Sequence, residues 1–143
     1  MTVTAEQRDR IAGLLTSFCC RLDEGDSAGV AALFTDDARV ETPHFQLVGR
    51  SQIDSWFAGR AEAKASLHSW SNMRVEAIAP DRFRVITNMI NAAGAKHAPQ
   101  PPDRVAFAIA RDEIVVQGGT PLFARRTLEI LFEMPFGPAE ARP

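Results

Sequence analysis

The chain contains no tyrosine among its 143 residues, and its only two cysteines, Cys19 and Cys20, are adjacent. Without tyrosine, no phenolic hydroxyl can donate a hydrogen bond to a substrate oxygen. Neighbouring cysteines can pair only with strained geometry, and no zinc-ligand spacing surrounds them. We therefore predict that both cysteines are small buried residues of a helix.

Long apolar runs and a strong net charge are also missing. No segment approaches the roughly 18–20 apolar residues of a membrane helix, and the opening MTVTAEQRDR lacks the apolar stretch of a secretory signal. A formal net charge of −2 offers no basic surface to nucleic acid or anionic lipid. We expect a cytoplasmic protein that binds neither nucleic acid nor membranes.

Motifs that hold cofactors are absent from the sequence as well. No glycine-rich segment has the spacing of a phosphate- or dinucleotide-binding loop, and no serine stands in a nucleophile-elbow setting. The three histidines, His44, His68 and His97, are too scattered to form a ligand spacing for a metal. We therefore expect no cofactor and no metal, and we regard His44 and His97 as weak functional candidates.

The N-terminal part of the chain has the periodicity of an amphipathic helix. Apolar residues recur at helical spacing, and Thr4 with Gln7 forms a capping-box signature. Gly25 supplies a stop signal. These features predict a helix over residues 5–24.

Two shorter helices are expected next. The first is capped by Asp26 or Ser27 and should end at the TDD of residues 35–37, before a brief strand, ARVET. The second has Ser51 as its N-cap, with Asp54 reaching back to it.

From residue 68 onward the period changes to two. Four segments alternate or run apolar, at residues 68–79, 82–91, 104–111 and 122–133. Helices followed by hairpin-linked strands predict one α+β domain over residues 1–143, with the helices on one face of an antiparallel sheet. The segment AGAKHAPQPPDR reads as the longest loop, and it is either a lid or a plain hairpin tip.

Three segments carry a resemblance to a known family. FCCRLDEGDSAGVAALFTDDARVETP, GRSQIDSWF and LHSWSNMRVE follow one another in the order of the SnoaL-like signature. Over residues 5–92 the chain resembles these members of the nuclear transport factor 2 and ketosteroid isomerase superfamily. Its ending, ARRTLEILF, resembles the last strand of small subunits of aromatic-ring-hydroxylating dioxygenases. The resemblance implies a cone, in which a strongly curved antiparallel or mixed sheet wraps around the first helix and encloses an apolar pocket.

The resemblance also implies two catalytic residues. Asp23 and His68 match positions at which dehydratase-like relatives keep an aspartate and the histidine that it supports. A carboxylate bonded to one imidazole nitrogen sets the tautomer and leaves the other nitrogen free for proton transfer. The residues by themselves leave alternatives open: Asp23 could pair with Arg126 or bond amides near Gly25, and His68 could face solvent.

The substrate site is expected around these two residues. Trp70 and Asn72 have the strand parity of His68 and should line the same face. Relatives hold a carbonyl with tyrosine, but Phe18 stands where many of them carry it. Oxyanion stabilisation then falls to tryptophan or asparagine N–H groups, or to an arginine. The predicted substrate-binding residues are Phe18, Trp56, Trp70, Asn72 and Asn88.

Two functions from different classes remain open at this point. One is a cofactor-independent lyase or isomerase acting on a small apolar carbonyl or hydroxyl compound, with His68 as acid or base and Asp23 orienting it. The other is a non-catalytic binding or assembly module, like the dioxygenase small subunit, with a larger partner subunit. Leu128, Ile130 and Phe132 alternate on the terminal strand and predict a subunit interface. In either case we expect at least a homodimer through the open face of the sheet.

Overall fold

The computed structural model describes residues 2–96 and 99–135, and His97 lies outside them. Within these ranges the chain forms three helices, α1 to α3, and six strands, β1 to β6. In chain order they are α1 (Ala5–Asp23), α2 (Ser27–Ala31), β1 (Phe34–Glu41), β2 (Gln46–Val48), α3 (Arg50–Ala63), β3 (Ala65–Ala79), β4 (Arg82–Gly94), β5 (Arg104–Gln117) and β6 (Thr120–Pro135). Of these helices, none is both long and apolar enough to cross a membrane.

The strands form one open sheet in the order β2-β1-β6-β5-β4-β3. Strands β3 to β6 pair antiparallel in sequence order, as their hairpin pattern predicts. Strand β1 pairs antiparallel with β2 but parallel with β6, so the sheet is mixed. The predicted α+β class is confirmed, and the parallel pair joins the N-terminal part of the chain to its last strand.

Helix α1 begins at a capping box and ends at a glycine turn, as predicted. The backbone N–H of Gln7 donates to Thr4 Oγ1, and the Thr4 backbone N–H donates to the Gln7 side chain. The helix ends at Asp23, and Gly25 adopts a φ of 76°, which a side chain would strain. These local signals place the Asp23 carboxyl at the C-terminal end of α1.

The apolar face of α1 packs on the inner face of the sheet. Phe18 lies at its centre, in edge-to-face contact with Phe34, Phe57 and Phe123 at centroid distances of 6.1, 6.2 and 5.8 Å. These contacts join α1, β1, α3 and β6 in one hydrophobic core. Aromatic packing of this kind fixes the helix relative to the strands that carry the site.

The two cysteines have different environments. Cys19 is buried in the core, whereas Cys20 is exposed. Consecutive helical residues lie about 100° apart around the axis, so one of two neighbours turns away from a flat packing surface. The prediction that both cysteines are buried is therefore wrong for Cys20.

Strand β1 begins earlier than the local pattern indicates. The TDD segment at residues 35–37, predicted to end the second helix, lies within β1. Phe34 is fully buried and pairs with Phe123 of β6, whose backbone N–H donates to the Leu33 carbonyl at 2.8 Å. Pairing with a strand distant in the sequence therefore overrides the local signal.

Helix α3 also begins before the predicted cap. Gly49, at a φ of 87°, is the N-cap residue, while Ser51 and Asp54 lie inside the helix and no side chain of a described residue caps it. The Arg50 guanidinium donates two hydrogen bonds to the Phe34 carbonyl, at 3.1 and 2.5 Å. The predicted Ser51 cap is wrong because this tertiary contact sets the start of the helix.

A bulge near the end of β6 separates residues that simple alternation places together. Leu128 and Ile130 pack against the core, whereas Phe132 is exposed and pairs with Phe107 beyond a shift in register. The extra residue, Leu131, reverses the alternation at this point. The predicted row of Leu128, Ile130 and Phe132 is therefore divided between the two faces of the sheet.

Candidate functional site

A pocket of about 120 Å³ lies between α1, α3 and the inner face of the sheet. Aromatic rings form much of its wall: Phe45 stacks on Trp56 with 4.0 Å between centroids, and Trp56 packs edge-to-face on Phe57. The polar side chains that line the pocket are Thr42, His44, Arg60, His68, Asn91, Arg104 and Arg126. Such a site, apolar with a few converging polar groups, is typical of small-molecule binding.

Asp23 and His68, expected as a pair, are in hydrogen-bonding contact. Asp23 Oδ1 lies 2.6 Å from His68 Nδ1, and Asp23 Oδ2 accepts the His68 backbone N–H at 2.8 Å. The Ser66 hydroxyl, two residues earlier on β3, donates to Oδ1 at 3.0 Å. The alternatives for these residues do not occur in the described structure, since neither an arginine nor an amide near Gly25 bonds Asp23 and His68 is largely buried.

The hydrogen bonds determine the charge of Asp23 and the tautomer of His68. Burial by itself raises the pKa of the Asp23 carboxyl, but the ring and backbone N–H groups of His68 and the Ser66 hydroxyl hold it below its ordinary value. An ionised carboxylate can only accept hydrogen bonds, so Nδ1 of His68 carries a proton. Nε2 is then the ring nitrogen that remains for a molecule in the pocket, which His68 lines.

A second buried pair, Arg126 and Asp112, lies at the inner wall of the pocket. Arg126 Nε is 3.5 Å from Asp112 Oδ1, and the two side chains are 1% and 0% exposed. The Arg126 guanidinium also lies over the rings of Phe18 and Phe123, 4.4 and 4.9 Å from their centroids, and Nη2 contacts the sulfur of Met89 at 3.5 Å. Within the described residues Nη1 has no hydrogen-bond acceptor.

The carboxyl of Asp112 behaves differently from that of Asp23. Neither of its oxygens accepts a hydrogen bond from a described residue. Burial therefore outweighs the attraction of Arg126 and raises the pKa of Asp112 from 3.8 to about 6.

Two of the predicted substrate-binding residues line the pocket. Phe18 reaches it from α1 and Trp56 from α3. Both belong to apolar helix faces that the sequence periodicity identifies. Phe18 offers only a ring surface to a bound molecule. The resemblance implies a tyrosine, with its hydroxyl group, at this position.

The other three predicted residues do not line this pocket. The Trp70 indole N–H donates to Thr16 Oγ1 at 3.0 Å, away from a ligand. Asn72, at a φ of 55°, lies at a bulge between Ser71 and Arg74 and is exposed, because the extra residue turns it to the outer face. Asn88 lies on the opposite face of β4 from the buried Met89.

Several pocket residues escaped the sequence analysis. Met89 and Asn91 lie on the inner face of β4. The alternation of side chains along a strand would have identified both residues. Arg60 and Arg104 stand at the ends of a helix and a strand, where charged residues are ordinary, so no sequence signal marks them. His44, considered a weak candidate, lines the pocket but is exposed and bonds Glu133 at 3.2 Å.

No three histidine, cysteine, aspartate or glutamate side chains converge as metal ligands in the part of the chain that the structure describes. The polar groups at the pocket instead include the imidazole of His68, whose Nε2 has no partner among the described residues, and three guanidinium groups. This set can accept or return a proton and can bind electronegative atoms.

Comparison with known proteins identifies the fold. A crystal structure of a protein provisionally named scytalone dehydratase, from Novosphingobium aromaticivorans DSM 12444, is 20% identical and aligns with a TM-score of 0.83, covering 92% of this chain and 88% of that one. Hexachlorocyclohexane dehydrochlorinase LinA-type3 from Novosphingobium barchaimii LL02 is 16% identical with a TM-score of 0.78, covering 96% and 95%. ActVI-ORFA from Streptomyces coelicolor is 16% identical with a TM-score of 0.76, covering 89% and 98%.

At these identities the likeness establishes a shared fold, as the sequence leads us to expect. Among curated proteins, none matches the sequence significantly. The family model described as a SnoaL-like domain matches residues 3–127. Because this match covers most of the 143 residues, the chain belongs to the SnoaL-like domain family.

Proposed function

We propose that this protein is a cofactor-independent lyase that eliminates water or another small leaving group from a carbonyl compound held in the pocket. The observation that carries the proposal is the contact of 2.6 Å between Asp23 and His68 Nδ1, at a pocket that His68 lines. Two of the structural relatives bear the names of elimination enzymes, a dehydratase and a dehydrochlorinase.

In the proposed reaction His68 is the general base. Its Nε2 removes the proton from the carbon next to the substrate carbonyl, and the electrons of that C–H bond form a carbon–carbon double bond. A hydroxyl group leaves from the next carbon, takes the proton back from the imidazolium and departs as water. His68 is neutral again, and Asp23 has stabilised the imidazolium in between.

Arg126 is the group proposed to hold the substrate oxygen. Its guanidinium is buried, lines the pocket and has an unpartnered Nη1 within the described residues. Negative charge that develops on the carbonyl oxygen during proton removal is stabilised most strongly by a fixed cation in a water-excluded site. Arg126 thus takes the role that the missing tyrosine leaves open.

The test uses a panel of small β-hydroxy ketones, with and without a carboxylate group, in D₂O, followed by proton NMR. The wild type should exchange the α-proton for deuterium and produce vinyl signals. Loss of the base in His68→Gln should slow both processes by about 10²–10⁴-fold. Asp9→Asn, an exposed change on α1, is the control and should match the wild type.

A His68→Gln protein that remains folded and exchanges at the wild-type rate would refute the role of His68. Absence of exchange and elimination across the whole panel in the wild type would count against the lyase itself and favour the binding or assembly function.

The outer face of the sheet supports that second candidate, a self-associating module. Ile90, Phe107 and Phe132 are direct cross-strand neighbours on this face, and Ile90 and Phe132 are 45% and 66% exposed. Exposed apolar rows of this kind are typical of interfaces. We propose a second copy of this chain as the occupant, as in the expected homodimer.

Sedimentation equilibrium tests the dimer. Phe132→Arg should shift the mass from dimer to monomer, because a charge in the buried centre of the interface is not compensated. Val48→Arg, an exposed apolar position on edge strand β2, is the matched control. A wild type that is monomeric, or a dimer that survives Phe132→Arg, would overturn this assignment.

A further inference from the structure

The charged side chains that line the pocket have one sign. Three arginines, Arg60, Arg104 and Arg126, line it, and no aspartate or glutamate does so in the described ranges. Arg126 has its own carboxylate, Asp112, in the core. Arg60 and Arg104 therefore remain as the basic groups whose purpose the proposed elimination does not explain.

Arg60 is half-buried, and its side chain has no ion-pair or hydrogen-bond partner among the described residues. No carboxylate of the described residues lies within 4.0 Å of its guanidinium nitrogens, and it makes no hydrogen bond to them. Burial lowers the pKa of Arg60, the charge of Asp23 partly offsets this, and the charge of Arg104 lowers the pKa by a smaller amount. A half-buried cation beside a second cation is unfavourable unless an anion joins them.

Arg104 is only partly neutralised. Its Nε bonds Glu133, which also bonds His44. Glu133 thereby occupies one edge of the Arg104 guanidinium, and no described residue bonds the terminal nitrogens. Guanidinium groups recognise carboxylates through pairs of parallel N–H donors, so the free edge is suited to an anionic oxygen group.

The position of Arg104 relative to His68 sets the size of the molecule. Register places His68 opposite Asn91 and Asn91 opposite Ala106, in one row across β3, β4 and β5. Arg104 precedes Ala106 by two residues on the same strand and face, roughly 7 Å along the strand, and the row from His68 to Ala106 crosses two strand spacings of about 4.8 Å each. The Cα atoms of His68 and Arg104 are therefore about 12 Å apart, and the long arginine side chain spans part of that distance. A ligand the length of a short organic acid can bridge the rest.

We propose that Arg60 and Arg104 bind a carboxylate of the substrate, which makes the substrate class small keto or hydroxy carboxylic acids with an apolar body. The assignment of a keto or hydroxy group near His68 rests on the proposed lyase function. The binding of a carboxylate by Arg60 and Arg104 does not depend on that function. The pocket volume of about 120 Å³ is comparable to cavities that accept one benzene-sized ring.

The experiment measures binding without catalysis, with benzoate and its neutral isostere benzamide as probes. Fluorescence of Trp56, in the pocket wall, reports occupancy, and calorimetry confirms it. Benzoate should bind at least about tenfold more tightly than benzamide, because charge-assisted hydrogen bonds are the stronger class. Arg60→Gln and Arg104→Gln should each weaken benzoate about ten- to hundredfold and leave benzamide unchanged.

Two further variants sharpen the result. Glu133→Gln frees the Arg104 guanidinium and should tighten benzoate, while Arg8→Gln, an exposed change on α1, should have no effect. Equal affinity for benzoate and benzamide overturns the proposal, as does a benzoate preference that survives Arg60→Gln/Arg104→Gln.

The variant His68→Gln separates this inference from the lyase function. It should keep the benzoate preference while losing elimination. If the wild type binds benzoate through the two arginines but performs no elimination, the anion site is supported and the proposed lyase function is refuted.

Discussion

The protein contains two carboxylates paired with a basic side chain in its interior, Asp23 with His68 and Asp112 with Arg126, and their pKa values move in opposite directions. Asp23 accepts three hydrogen bonds and its pKa falls. Asp112 lies beside a full positive charge but accepts no hydrogen bond from a described residue, and burial raises its pKa to about 6. Complete burial without a donor raises the pKa of Asp112, whereas partial burial with three donors leaves the pKa of Asp23 lowered.

The same substitution at the two carboxylates should have opposite effects on stability, and Asp112→Asn tests the larger one. A folded-state pKa above the unfolded value means that stability is present at low pH and is lost as pH rises through about 6. Asn keeps the shape without the charge, so Asp112→Asn should raise the free energy of unfolding at pH 8. The expected gain is on the order of 3 kcal/mol, from the gap between 3.8 and about 6.

Urea denaturation at pH 4 and pH 8 measures this gain. The gain should be mostly lost at pH 4, where Asp112 is protonated in the native state and partly protonated in the unfolded state. A loss of stability at pH 8 would mean that attraction to Arg126 exceeds the penalty of burial, and the contrast between the two pairs would fail.

Asp23→Asn should act in the other direction, by about 1–3 kcal/mol at pH 7, because hydrogen bonds to a charged acceptor are lost. A lowered pKa in the folded state gives stability that is present above the ordinary value and lost as pH falls through the folded one. The destabilisation should therefore shrink below about pH 4. Equal destabilisation at pH 3 and pH 7, with Asp9→Asn as the neutral control, contradicts this account.

Ser66→Ala removes one of the three donors to Asp23 and should destabilise by about 0.5–1.5 kcal/mol. It leaves both bonds from His68 in place, so the tautomer of His68 should remain protonated at Nδ1. Long-range proton–nitrogen NMR of the imidazole reads this directly. A change of tautomer in Ser66→Ala would mean that the serine, not the carboxylate alone, sets the state of the ring.

The smallest expected effect concerns the two cysteines, where burial changes the pKa of a thiol and no change in fold is involved. Burial raises the pKa of Cys19 to about 11, whereas Cys20 is exposed. At pH 8 an aromatic disulfide reagent should label Cys20 rapidly and Cys19 only after unfolding, since the thiolate is the reactive form. Cys20→Ser should abolish the rapid phase; a rapid phase that persists would place Cys19 within reach of solvent.

Sequence reasoning selected Asp23, His68 and Phe18 through the resemblance, and helix periodicity placed Phe18 and Trp56 on apolar faces. It misplaced Asn72 and Phe132 because each lies at or beyond a bulge. One inserted residue reverses the facing of every later residue in the strand, and no local signal in the sequence marks it. It omitted Arg60 and Arg104, whose residue types and positions are ordinary on a protein surface.

The sequence by itself determined the elements whose causes are local: the capping box of α1, the glycine turn after it and the strands with a period of two. Only the tertiary structure decided the start of β1, the pairing of Asp112 with Arg126 and the gathering of three arginines around one pocket. The physical reason is the distance along the sequence over which each cause acts. Caps and alternation act over a few residues, whereas register, burial and the field around a charge depend on partners that approach one another only after the sheet has formed.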